Sequence, residues 1–555
     1  MSMATVHDRY TPDQIESYYG RGLWCDHGFF GALEQQVAKR PDKVFLTDST
    51  SSYTFRELRD TALRLATGLV RLGIGRGDRV AVQLPNWTEF VVISLAISRI
   101  GAVIVPIMPI YRRDEVAFIV ERAGVKAAFT VGSHRKFDHA AMFLDIAARH
   151  PVLRDVVVVR GEAAHAGALR YEDVPADTST REAAAVLPAE PGPDEPFTIV
   201  FSSGTTARPK GCLHTFNTMS GGARLLGKGW NYTEEDVQFG PSPITHTTGL
   251  VTSVLLPLLH GAGTHLMEQW EPREGLARIA EFHCTAAVTA TTFLQMLLRV
   301  YDPDVHDASS MRFWTCAGAP IPGTFVREAR AAFPDMRVLS LYGRTENLST
   351  TLCAIDDDPE RSVTSDGKAA PGQEVRILDE QGAELPRGEE GDIAYRGATN
   401  CLEYIGQPEE TAAMFTADGF SRSGDLGVMD QDGYVRVTGR LKDIVIRGGL
   451  NISVRQIEDL LAAHPAVGEV AVVGMPDERM GERVCCYLVP APDARPLTLD
   501  QVKDHLLGEG LAIQKVPERL EIVTSLPTTA TGKIQKHLLR ADVTQKLKAA
   551  VGEGH

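Results

Sequence analysis

The sequence predicts an α/β protein with a large N-terminal domain and a small α+β C-terminal domain. Its 555 residues are too many for one ordinary hydrophobic core. Up to about residue 340, helix-like and strand-like segments alternate, which favours parallel-rich sheets flanked by helices. After about residue 365, short strands and turns rich in Gly and Asp predict a small β-barrel-like subdomain.

The first elements follow from the spacing of apolar residues. Residues 54–72 and 89–99 carry apolar residues at helical spacing, so both predict helices. Short apolar runs predict strands at 80–82, 127–131, 156–159 and 197–201. Residues 161–193, rich in Ala and Glu, are interpreted as an exposed connection.

The pattern changes in the C-terminal part of the chain. Strands are predicted at 375–378, 392–395 and 434–438, with turns such as Asp379–Gly382 beside them. From about residue 443, a strand near 444–446, a helix over 453–463 and a strand at 470–473 follow. This last pattern predicts a small α+β domain of about 110 residues.

Charge and cysteine content exclude several classes of protein. The formal net charge is -15, and an acidic chain repels phosphate backbones, so we expect no nucleic-acid partner. The 8 cysteines show no zinc-ligand spacing and predict free thiols in a reducing cytoplasm. No signal-peptide pattern opens the sequence, and Arg99, Gly101 and Pro106 interrupt its longest apolar tract. We therefore expect a cytoplasmic protein without a membrane span.

The segment Ser202–Gly211 directly follows the predicted strand 197–201. Its small and hydroxylated residues can turn several backbone N–H groups toward one anion, and Lys210 adds a positive charge. Because Lys210 precedes a glycine rather than Ser or Thr, this is not a Walker A loop. The pattern favours phosphate binding, with a polar surface turn as the alternative.

Three further segments carry charged residues in turns. A glutamate such as Glu346, in Tyr342–Glu346, can hold Mg²⁺ against phosphate oxygens. Asp425, in Ser423–Leu426, can accept both ribose hydroxyls, and Arg440 can clamp the sugar or phosphate. Lys533, in Thr531–Ile534, can reach into the site of another domain. Taken singly, a surface ion pair, a turn aspartate and a solvated lysine remain the alternatives.

In order and spacing, these segments resemble the core motifs of the adenylate-forming superfamily of acyl-CoA synthetases, luciferases and peptide-synthetase adenylation domains. The resemblance covers nearly the whole chain. It also includes Cys316–Pro320, Asp366–Lys368, Gly388–Asp392 and Gly439–Asp443. The sequence is most similar to cyclohexanecarboxylate–CoA ligase-like and short- or medium-chain acyl-CoA synthetases, on stretches such as Leu84–Trp87, Arg447–Ile452 and Gly474–Arg479.

The resemblance implies an enzyme that uses ATP, Mg²⁺ and CoA. A carboxylic acid and ATP would form acyl-AMP and pyrophosphate, and CoA would then take the acyl group. Residues 1–440 would form the adenylation domain, 441–443 the hinge with Lys442 at its centre, and 444–555 a mobile C-terminal lid domain. The partners would be these small molecules. A homodimer, and a carrier protein or partner ligase acting in trans, stay open.

The same resemblance assigns roles to residues of the nucleotide site. Glu346 would bind Mg²⁺, Thr345 would contact phosphate, and Lys533 would bridge the carboxylate and the α-phosphate. Ribose would lie on Asp425 and Arg440. The β- and γ-phosphates would lie on the loop that includes Ser202, Ser203, Gly204, Thr205, Thr206 and Lys210. The adenine slot would lie among Gly318, Ala319, Pro320, Tyr342 and Gly343.

For the second half-reaction, the resemblance implies that the lid rotates, Lys533 leaves, and the turn at Gly448 and Gly449 approaches the pantetheine. The acid pocket is expected to be mainly apolar. His246, Phe293, Ala317, Gly318 and Leu348 are its candidate lining. For His246, a gating role and a packed histidine without a chemical role are both open.

Two departures from the family pattern bear on the site. Ala207 stands where the phosphate loop usually has glycine, and Arg344 replaces a commoner methionine, which could change the pocket. Neither removes an essential group. They leave room for an unusual ring acid, such as an alicyclic, aromatic or terpenoid acid. Two alternatives to the ligase remain: an adenylating enzyme that hands acyl-AMP to a carrier or second ligase, and an inactive nucleotide-binding scaffold.

Overall fold

The computed structural model describes residues 3–161, 165–177, 179–202, 209–318, 321–529 and 533–552. Two large sheets flanked by helices occupy the chain up to about residue 405, and two smaller antiparallel-rich sheets follow. This arrangement confirms the predicted α/β class with a smaller C-terminal domain.

The strands are named β1 to β28 in chain order. The first half contains β1 (Val44–Thr47), β2 (Ser52–Thr54), β3 (Arg79–Gln83), β4 (Val103–Pro106), β5 (Val125–Val131), β6 (Ser133–His134), β7 (Phe137–Asp138), β8 (Asp155–Val159), β9 (Leu169–Arg170), β10 (Pro196–Phe201), β11 (Gly211–Thr215), β12 (Val237–Gly240), β13 (Gly263–Leu266) and β14 (Ala286–Ala290). The second half contains β15 (Phe313–Ala317), β16 (Arg337–Tyr342), β17 (Thr351–Leu352), β18 (Lys368–Ala369), β19 (Gln373–Leu378), β20 (Glu390–Gly397), β21 (Glu403–Tyr404), β22 (Ser421–Met429), β23 (Val435–Arg440), β24 (Val445–Arg447), β25 (Leu450–Ile452), β26 (Val467–Asp477), β27 (Gly481–Pro490) and β28 (Arg519–Ile522).

The α-helices are named in the same way. They are α1 (Val6–Arg9), α2 (Pro12–Gly20), α3 (Phe29–Lys39), α4 (Phe55–Arg71), α5 (Thr88–Arg99), α6 (Arg113–Ala123), α7 (His139–Arg149), α8 (Thr180–Val186), α9 (Phe216–Gly229), α10 (Thr247–Gly249), α11 (Leu256–His260), α12 (Pro272–Glu281), α13 (Thr291–Leu298), α14 (Gly323–Ala332), α15 (Arg361–Thr364), α16 (Pro408–Ala413), α17 (Val454–Ala462), α18 (Leu499–Gly508) and α19 (Lys536–Gly552). Leu250–Leu255 is π-helical and joins α10 to α11.

The two large sheets are parallel in their centres, with antiparallel pairs at both ends of one sheet and at one end of the other. One has the order β18-β17-β16-β15-β14-β12-β13-β1-β2, with parallel pairing from β16 through to β1. The other has the order β21-β11-β10-β4-β3-β5-β8-β9, and only β11 and β21 run antiparallel to their neighbours. Strands β3, β4 and β5 are almost wholly buried because helices cover both faces of such a sheet.

Helix α4 shows how local sequence fixes an element. Thr54 accepts a hydrogen bond from the Glu57 N–H at 3.2 Å, and the Glu57 carboxylate accepts one from the Thr54 N–H at 2.8 Å. This reciprocal cap satisfies two free donors of the first turn. Leu58, Leu65 and Leu69 are fully buried on the inner face. The predicted helix over 54–72 is therefore confirmed to within one residue at each end.

The β-rich segment forms a four-stranded antiparallel sheet with the order β19-β20-β22-β23. The C-terminal sheet pairs β25, β24, β27 and β26 in antiparallel fashion, with β28 parallel to β27. Between these sheets, Leu441–Asp443 forms a short 3₁₀ turn at the predicted hinge. Arg540 of α19 contacts the Asp443 carboxylate at 2.5 Å and donates to the Lys442 carbonyl at 3.1 Å.

The interpretation of residues 161–193 as an exposed connection is wrong in part. The described residues of this stretch include β9 and α8, and Ala183 is fully buried. The Val174 carbonyl lies so close to α4 that a Cβ at Gly68 would be 1.9 Å from its oxygen. An Ala- and Glu-rich composition is typical of exposed segments, but Ala183 packs among larger side chains of the core.

Among the described residues, no helix is both long enough and apolar enough to span a membrane.

Candidate active site

The candidate site lies at the carboxyl ends of the parallel strands β12, β14, β15 and β16. Ala290, Ala317 and Tyr342 end three of these strands, and Ser242 lies just after the fourth. Side chains at this edge of an open α/β sheet converge on one crevice. The structure thus brings together residues that are far apart in the sequence.

The predicted phosphate loop connects the antiparallel strands β10 and β11. The Ser202 N–H donates to the Lys210 carbonyl at 2.8 Å, which closes the base of the loop. The Lys210 ammonium lies 4.6 Å from the ring centre of Tyr404. The described residues do not include the rest of the predicted loop, namely Ser203, Gly204, Thr205, Thr206 and Ala207, the alanine at the usual glycine position.

Glu346 is a buried carboxylate, with 5% of the residue exposed. Its Oε1 accepts a hydrogen bond from the Tyr404 hydroxyl at 2.6 Å and lies 3.4 Å from the Arg344 guanidinium. Burial acts to raise the pKa of Glu346, but Arg344 and the Tyr404 hydroxyl outweigh it and lower that pKa. Glu346 therefore stays ionised at neutral pH.

A single ionised carboxylate suits Mg²⁺ that arrives with a nucleotide. Mg²⁺ is usually held by one or two carboxylates together with substrate phosphates and water. Within the described ranges, no group of three or more His, Cys, Asp or Glu side chains could hold a metal ion alone. The donor set at Glu346 thus fits a metal shared with phosphate oxygens.

Asp425 is held between two donors at the end of the small sheet. Arg440 Nε donates to Oδ1 at 2.8 Å, and the Tyr342 hydroxyl donates to Oδ2 at 2.7 Å. Burial acts to raise the pKa of Asp425, but the neighbouring Arg440 and Arg344 outweigh it and lower that pKa. The carboxylate is therefore ionised and fixed in position, as a ribose acceptor requires.

Arg344 links the two buried carboxylates. Its guanidinium lies 3.4 Å from Glu346, 4.0 Å from Asp425, and donates to the Ser423 carbonyl at 2.5 Å. Burial acts to lower the pKa of Arg344, but the surrounding carboxylates raise it well above its ordinary value. The position where methionine is commoner thus carries a permanent positive charge at the centre of the site.

Thr345 and Gly343 are fixed by close packing around Leu348. A Cβ at Gly343 would lie 2.0 Å from the Leu348 carbonyl oxygen, so this position admits only glycine without movement of the chain. Leu348 itself has φ +62°, a left-handed conformation that is costly for a leucine. The Thr345 carbonyl accepts a hydrogen bond of 2.8 Å from buried His214.

Lys533 comes from the C-terminal domain and lies over the N-terminal site. Its Cε is 3.5 Å from where a Cβ of Gly318 would be. Burial and the nearby Arg440 lower the pKa of Lys533 to about 8, although Asp425 and Glu346 act to raise it. The other predicted adenine-slot residues, Ala319 and Pro320, lie outside the described residues, as do Thr531 and Gly532.

A narrow cavity runs from Lys533 into the large domain. Its walls combine apolar side chains with a group of polar ones. They are Leu226, Ser242, Pro243, His246, Thr247, Thr248, Val251, Thr252, Ala290, Phe293, Ala317, Gly318, Leu341, Gly343, Arg344, Thr345, Leu348 and Lys533. The five candidate acid-pocket residues, His246, Phe293, Ala317, Gly318 and Leu348, therefore line one cavity.

His246 is a neutral imidazole on this cavity wall. Burial and the nearby Lys533 lower the pKa of His246 to about 3. The Thr248 N–H donates to its Nδ1 at 3.3 Å, so the single ring proton lies on Nε2. His246 is thus both a helix cap and a hydrogen-bond donor at the wall.

Other predicted residues lie elsewhere. Gly448 and Gly449, with φ +57° and +85°, form the turn between β24 and β25 and do not line the cavity. Lys442 is exposed in the 3₁₀ turn between the two small sheets. In this arrangement Lys533, rather than the glycine turn, faces the N-terminal site.

Tyr404 and His214 are site residues that the sequence reasoning missed. Tyr404 reaches Glu346 because β21 pairs with β11, where Tyr404 lies opposite Cys212. His214 lies on β11, and burial lowers its pKa to about 4, so it is neutral when it contacts Thr345. Neither residue belongs to a motif, and only the sheet pairing brings them to the site.

Two known families match successive parts of the chain. The family described as AMP-binding enzyme matches residues 33–405, and the AMP-binding enzyme C-terminal domain matches residues 456–533. The first match alone spans more than half of the chain.

Two characterised relatives and one solved structure cover almost the whole chain. The medium-chain fatty-acid–CoA ligase of Escherichia coli (strain K12) is 36% identical over 538 residues, which is 97% of this chain and 94% of that protein. A propanoyl:CoA ligase of Rhodococcus jostii (strain RHA1), whose acid carries a methyl-dioxo-octahydroindenyl group, is 34% identical over 515 residues, which is 92% of this chain and 98% of that protein. The structure of ATP-bound MatB from Rhodopseudomonas palustris superposes with a TM-score of 0.82 at 30% identity, covering 94% of this chain and 99% of that chain.

Proposed function

The chain belongs to the AMP-binding enzyme family, and on that basis we propose that it is an ATP-dependent acid–CoA ligase. It joins a carboxylic acid to ATP to give acyl-AMP and pyrophosphate, and then joins acyl-AMP to CoA to give acyl-CoA and AMP. The observation that carries this proposal is that Lys533 and Arg344 lie on the wall of one cavity, with the carboxylates of Glu346 and Asp425 beside Arg344.

In the first half-reaction, a carboxylate oxygen attacks the α-phosphorus and the bond to pyrophosphate breaks. Both reactants are anionic, so cations must neutralise the charge that gathers at phosphorus. Lys533 is the group placed to bridge the carboxylate and the α-phosphate. Arg344 adds a second, permanent positive charge nearby.

The nucleotide is held by residues of both large and small sheets. Asp425 accepts the ribose hydroxyls, and Arg440 keeps Asp425 ionised and in place. Tyr342 and Gly318 border the adenine slot, and the loop that starts at Ser202 holds the terminal phosphates. Mg²⁺ on Glu346 supplies charge neutralisation to the phosphates when it is bound.

The second half-reaction needs a different wall around the acyl group. We place the hinge at 441–443, between an adenylation domain of residues 1–440 and a lid domain of residues 444–555. Rotation about Lys442 withdraws Lys533 and brings the turn at Gly448 and Gly449 to the site. The CoA sulfur then attacks the acyl carbonyl, AMP leaves, and the thiol proton is released.

The cavity supports an apolar acid of medium size, including alicyclic, aromatic and other ring-bearing acids. Leu226, Val251, Phe293 and Leu348 supply the apolar walls. The two relatives are named for a medium-chain fatty acid and for a bicyclic propanoate.

The test is a mass-spectrometric assay with ATP, Mg²⁺, CoA and a panel of fatty, alicyclic and aromatic acids, with acyl-AMP and acyl-CoA both quantified. We expect acyl-CoA and AMP in equal amounts with the best acid. Accumulation of acyl-AMP alone would instead support an adenylating enzyme that serves a carrier protein or partner ligase. Lack of any adenylate with every acid would refute the proposal and favour an inactive scaffold.

A further inference from the structure

The acid cavity contains polar side chains that no nucleotide role uses. Thr247, Thr248 and Thr252 lie on its wall, at the start of α10 and in the π-helical segment that follows. Thr248 and Thr252 are one turn apart, and Thr252 Oγ1 donates to the Thr248 carbonyl at 2.8 Å. A hydroxylated strip therefore faces the apolar wall of Leu226 and Phe293.

The hydrogen bonds of this strip are incomplete. Within the described parts of the chain, the Thr247 and Thr248 hydroxyls have no protein hydrogen-bond partner and remain accessible from the cavity, with Thr247 buried and Thr248 half-buried. The His246 Nε2–H adds a third donor, because its Nδ1 accepts from the Thr248 N–H. Thr252 keeps its lone pairs because its hydroxyl proton is already donated.

An apolar acid that filled the cavity would cover these donors without pairing them, and burial of an unpaired donor is unfavourable. An oxygen atom on the acid, away from its carboxylate, would satisfy them. The carboxylate itself does not fill this role, since Lys533 is its partner in the proposed function. The cavity thus distinguishes an oxygen-substituted acid from the corresponding hydrocarbon acid.

Resting on the proposed function, we infer that the substrate is an apolar ring or chain acid bearing a keto or hydroxyl group that hydrogen-bonds to Thr247 and Thr248. A site built to pair with a polar substituent discriminates strongly against the analogue that lacks it, whereas an apolar pocket discriminates weakly. The Thr strip is then a specificity determinant, and the π-helical turn positions its far end at Thr252.

The experiment compares three matched pairs of acids: cyclohexanecarboxylate and its 4-oxo derivative, octanoate and its 7-oxo derivative, and a fused two-ring propanoate with and without ring ketones. Pyrophosphate release and acyl-CoA formation give kcat/KM, and isothermal titration calorimetry gives acid affinity without turnover. For at least one pair, we expect the oxo acid to be preferred by about tenfold or more.

Isosteric variants test whether the threonine strip causes the preference for the oxo acid. In Thr248→Val, the ratio of kcat/KM for the oxo acid to that for the hydrocarbon acid should fall to about one, mainly through loss of activity with the oxo acid. Thr248→Ser keeps the hydroxyl and should keep the preference, and Thr247→Val should reduce it. Thermal unfolding of each variant checks that the fold is unchanged.

Two results would overturn the inference. One is equal or weaker use of the oxo acid in all three pairs, and the other is an equal effect of Thr248→Val and Thr248→Ser on the ratio. Failure of the proposed function gives a different pattern: tighter binding of the oxo acid by calorimetry, with no pyrophosphate or acyl-CoA from any acid. Turnover without preference leaves the proposed function intact and refutes only the inference.

Discussion

The Tyr404 hydroxyl donates a hydrogen bond of 2.6 Å to Glu346 while the face of its ring lies 4.6 Å from the Lys210 ammonium. One tyrosine therefore contacts both the carboxylate proposed to bind Mg²⁺ and the lysine at the base of the proposed phosphate loop. Burial and the nearby Glu346 raise the pKa of Tyr404, so the phenol keeps its proton and remains a donor.

Replacing Tyr404 by phenylalanine removes this donor and keeps the ring. Because hydrogen bonds to charged groups are among the stronger ones, we expect roughly a tenfold rise in the KM for MgATP. The rise should be larger at limiting Mg²⁺, and initial-rate kinetics over a Mg²⁺ series would measure it. Tyr232→Phe is the matched control, since the buried Tyr232 hydroxyl has no partner in the described ranges and lies off the cavity. Equal effects of the two variants would contradict the assigned role.

Lys533 makes the adenylation step dependent on pH. Because its pKa is lowered to about 8, the ammonium is present below that pH and is lost as the pH rises through it. We expect kcat/KM for acyl-AMP formation to fall about tenfold per pH unit above about pH 8. Lys533→Arg should move this fall to higher pH, and Lys533→Ala should abolish adenylation at every pH.

Thioester formation from synthetic acyl-AMP is the comparison for Lys533. That step does not use the lysine in the proposed mechanism, so its rate in Lys533→Ala should stay close to that of the wild type. Lys515, a lid lysine that does not line the cavity, supplies a control variant, Lys515→Ala. A parallel loss of both half-reactions in Lys533→Ala would show that the substitution damages the lid rather than the adenylation step.

Arg344→Met removes the cation that lies between Glu346 and Asp425. Breaking a buried ion pair from one side leaves an uncompensated charge, so we expect the free energy of unfolding to fall by about 3–5 kcal/mol. Arg344 holds both carboxyl pKa values down, so its contribution is present at neutral pH and is lost as pH falls through those lowered values. Urea unfolding at pH 7 and at about pH 3 should therefore show a smaller difference from wild type at the lower pH.

Arg327→Met is the surface comparison for Arg344. Arg327 pairs with Glu360, and both side chains are at least half exposed. Pairs of this kind contribute about 0–1 kcal/mol. A loss in Arg327→Met as large as that in Arg344→Met would contradict the special position of the buried arginine.

Among the described residues, three of the four buried histidines have a strongly lowered pKa and make the fold sensitive to mild acid. Burial lowers the pKa of His214 and His265 to about 4 and that of His246, beside Lys533, to about 3. The unfolded chain then binds protons below about pH 6.5 that the folded chain does not. We expect each histidine to reduce the free energy of unfolding by about 1.4 kcal/mol per pH unit between about pH 6 and 4.5.

Substitution of one of these histidines tests how many protons the unfolded chain binds in excess of the folded chain. His265 stacks on Phe282 with 3.9 Å between ring centres, so His265→Phe keeps the stacking and removes one proton site. The pH slope from urea unfolding should become shallower by one proton. Phe282→Leu weakens the same stacking without removing a titratable group, and it should keep the wild-type slope. An unchanged slope in His265→Phe would refute the assignment.

The regular elements that the sequence predicts agree closely with the structure. The helices at 54–72 and 89–99 and the strands at 80–82 and 197–201 lie within one or two residues of α4, α5, β3 and β10. Their apolar spacing is set by burial on one or both faces, and that signal is local. The prediction for residues 161–193 is wrong in part because alanine is common both on protein surfaces and at close contacts between helices. Ala183 is an example of the second case, since it is fully buried.

Some site residues can be predicted from local sequence motifs, whereas others reach the site only through the pairing of distant strands. Asp425 and Arg440 stand opposite each other on β22 and β23, and a turn between two short strands already indicates such a pairing. Tyr404 and His214 depend on the edge strand β21 joining β11, a contact between distant segments that has no local pattern. The environment of Arg344 has no local pattern either, since its partners come from β22 and from the loop that follows β16.

Leu348, held at φ +62° with its carbonyl against Gly343, limits how this cavity can diverge among related enzymes. A β-branched residue at this position would meet a steric cost before any contact with an acid was gained, whereas Gly or Asn would relieve the backbone and widen the cavity together. Laboratory evolution toward bulkier acids should therefore select Gly, Asn or other residues that tolerate a left-handed backbone at position 348 at an early stage. Substitutions that narrow the cavity should arise first at Val251 or Phe293 instead.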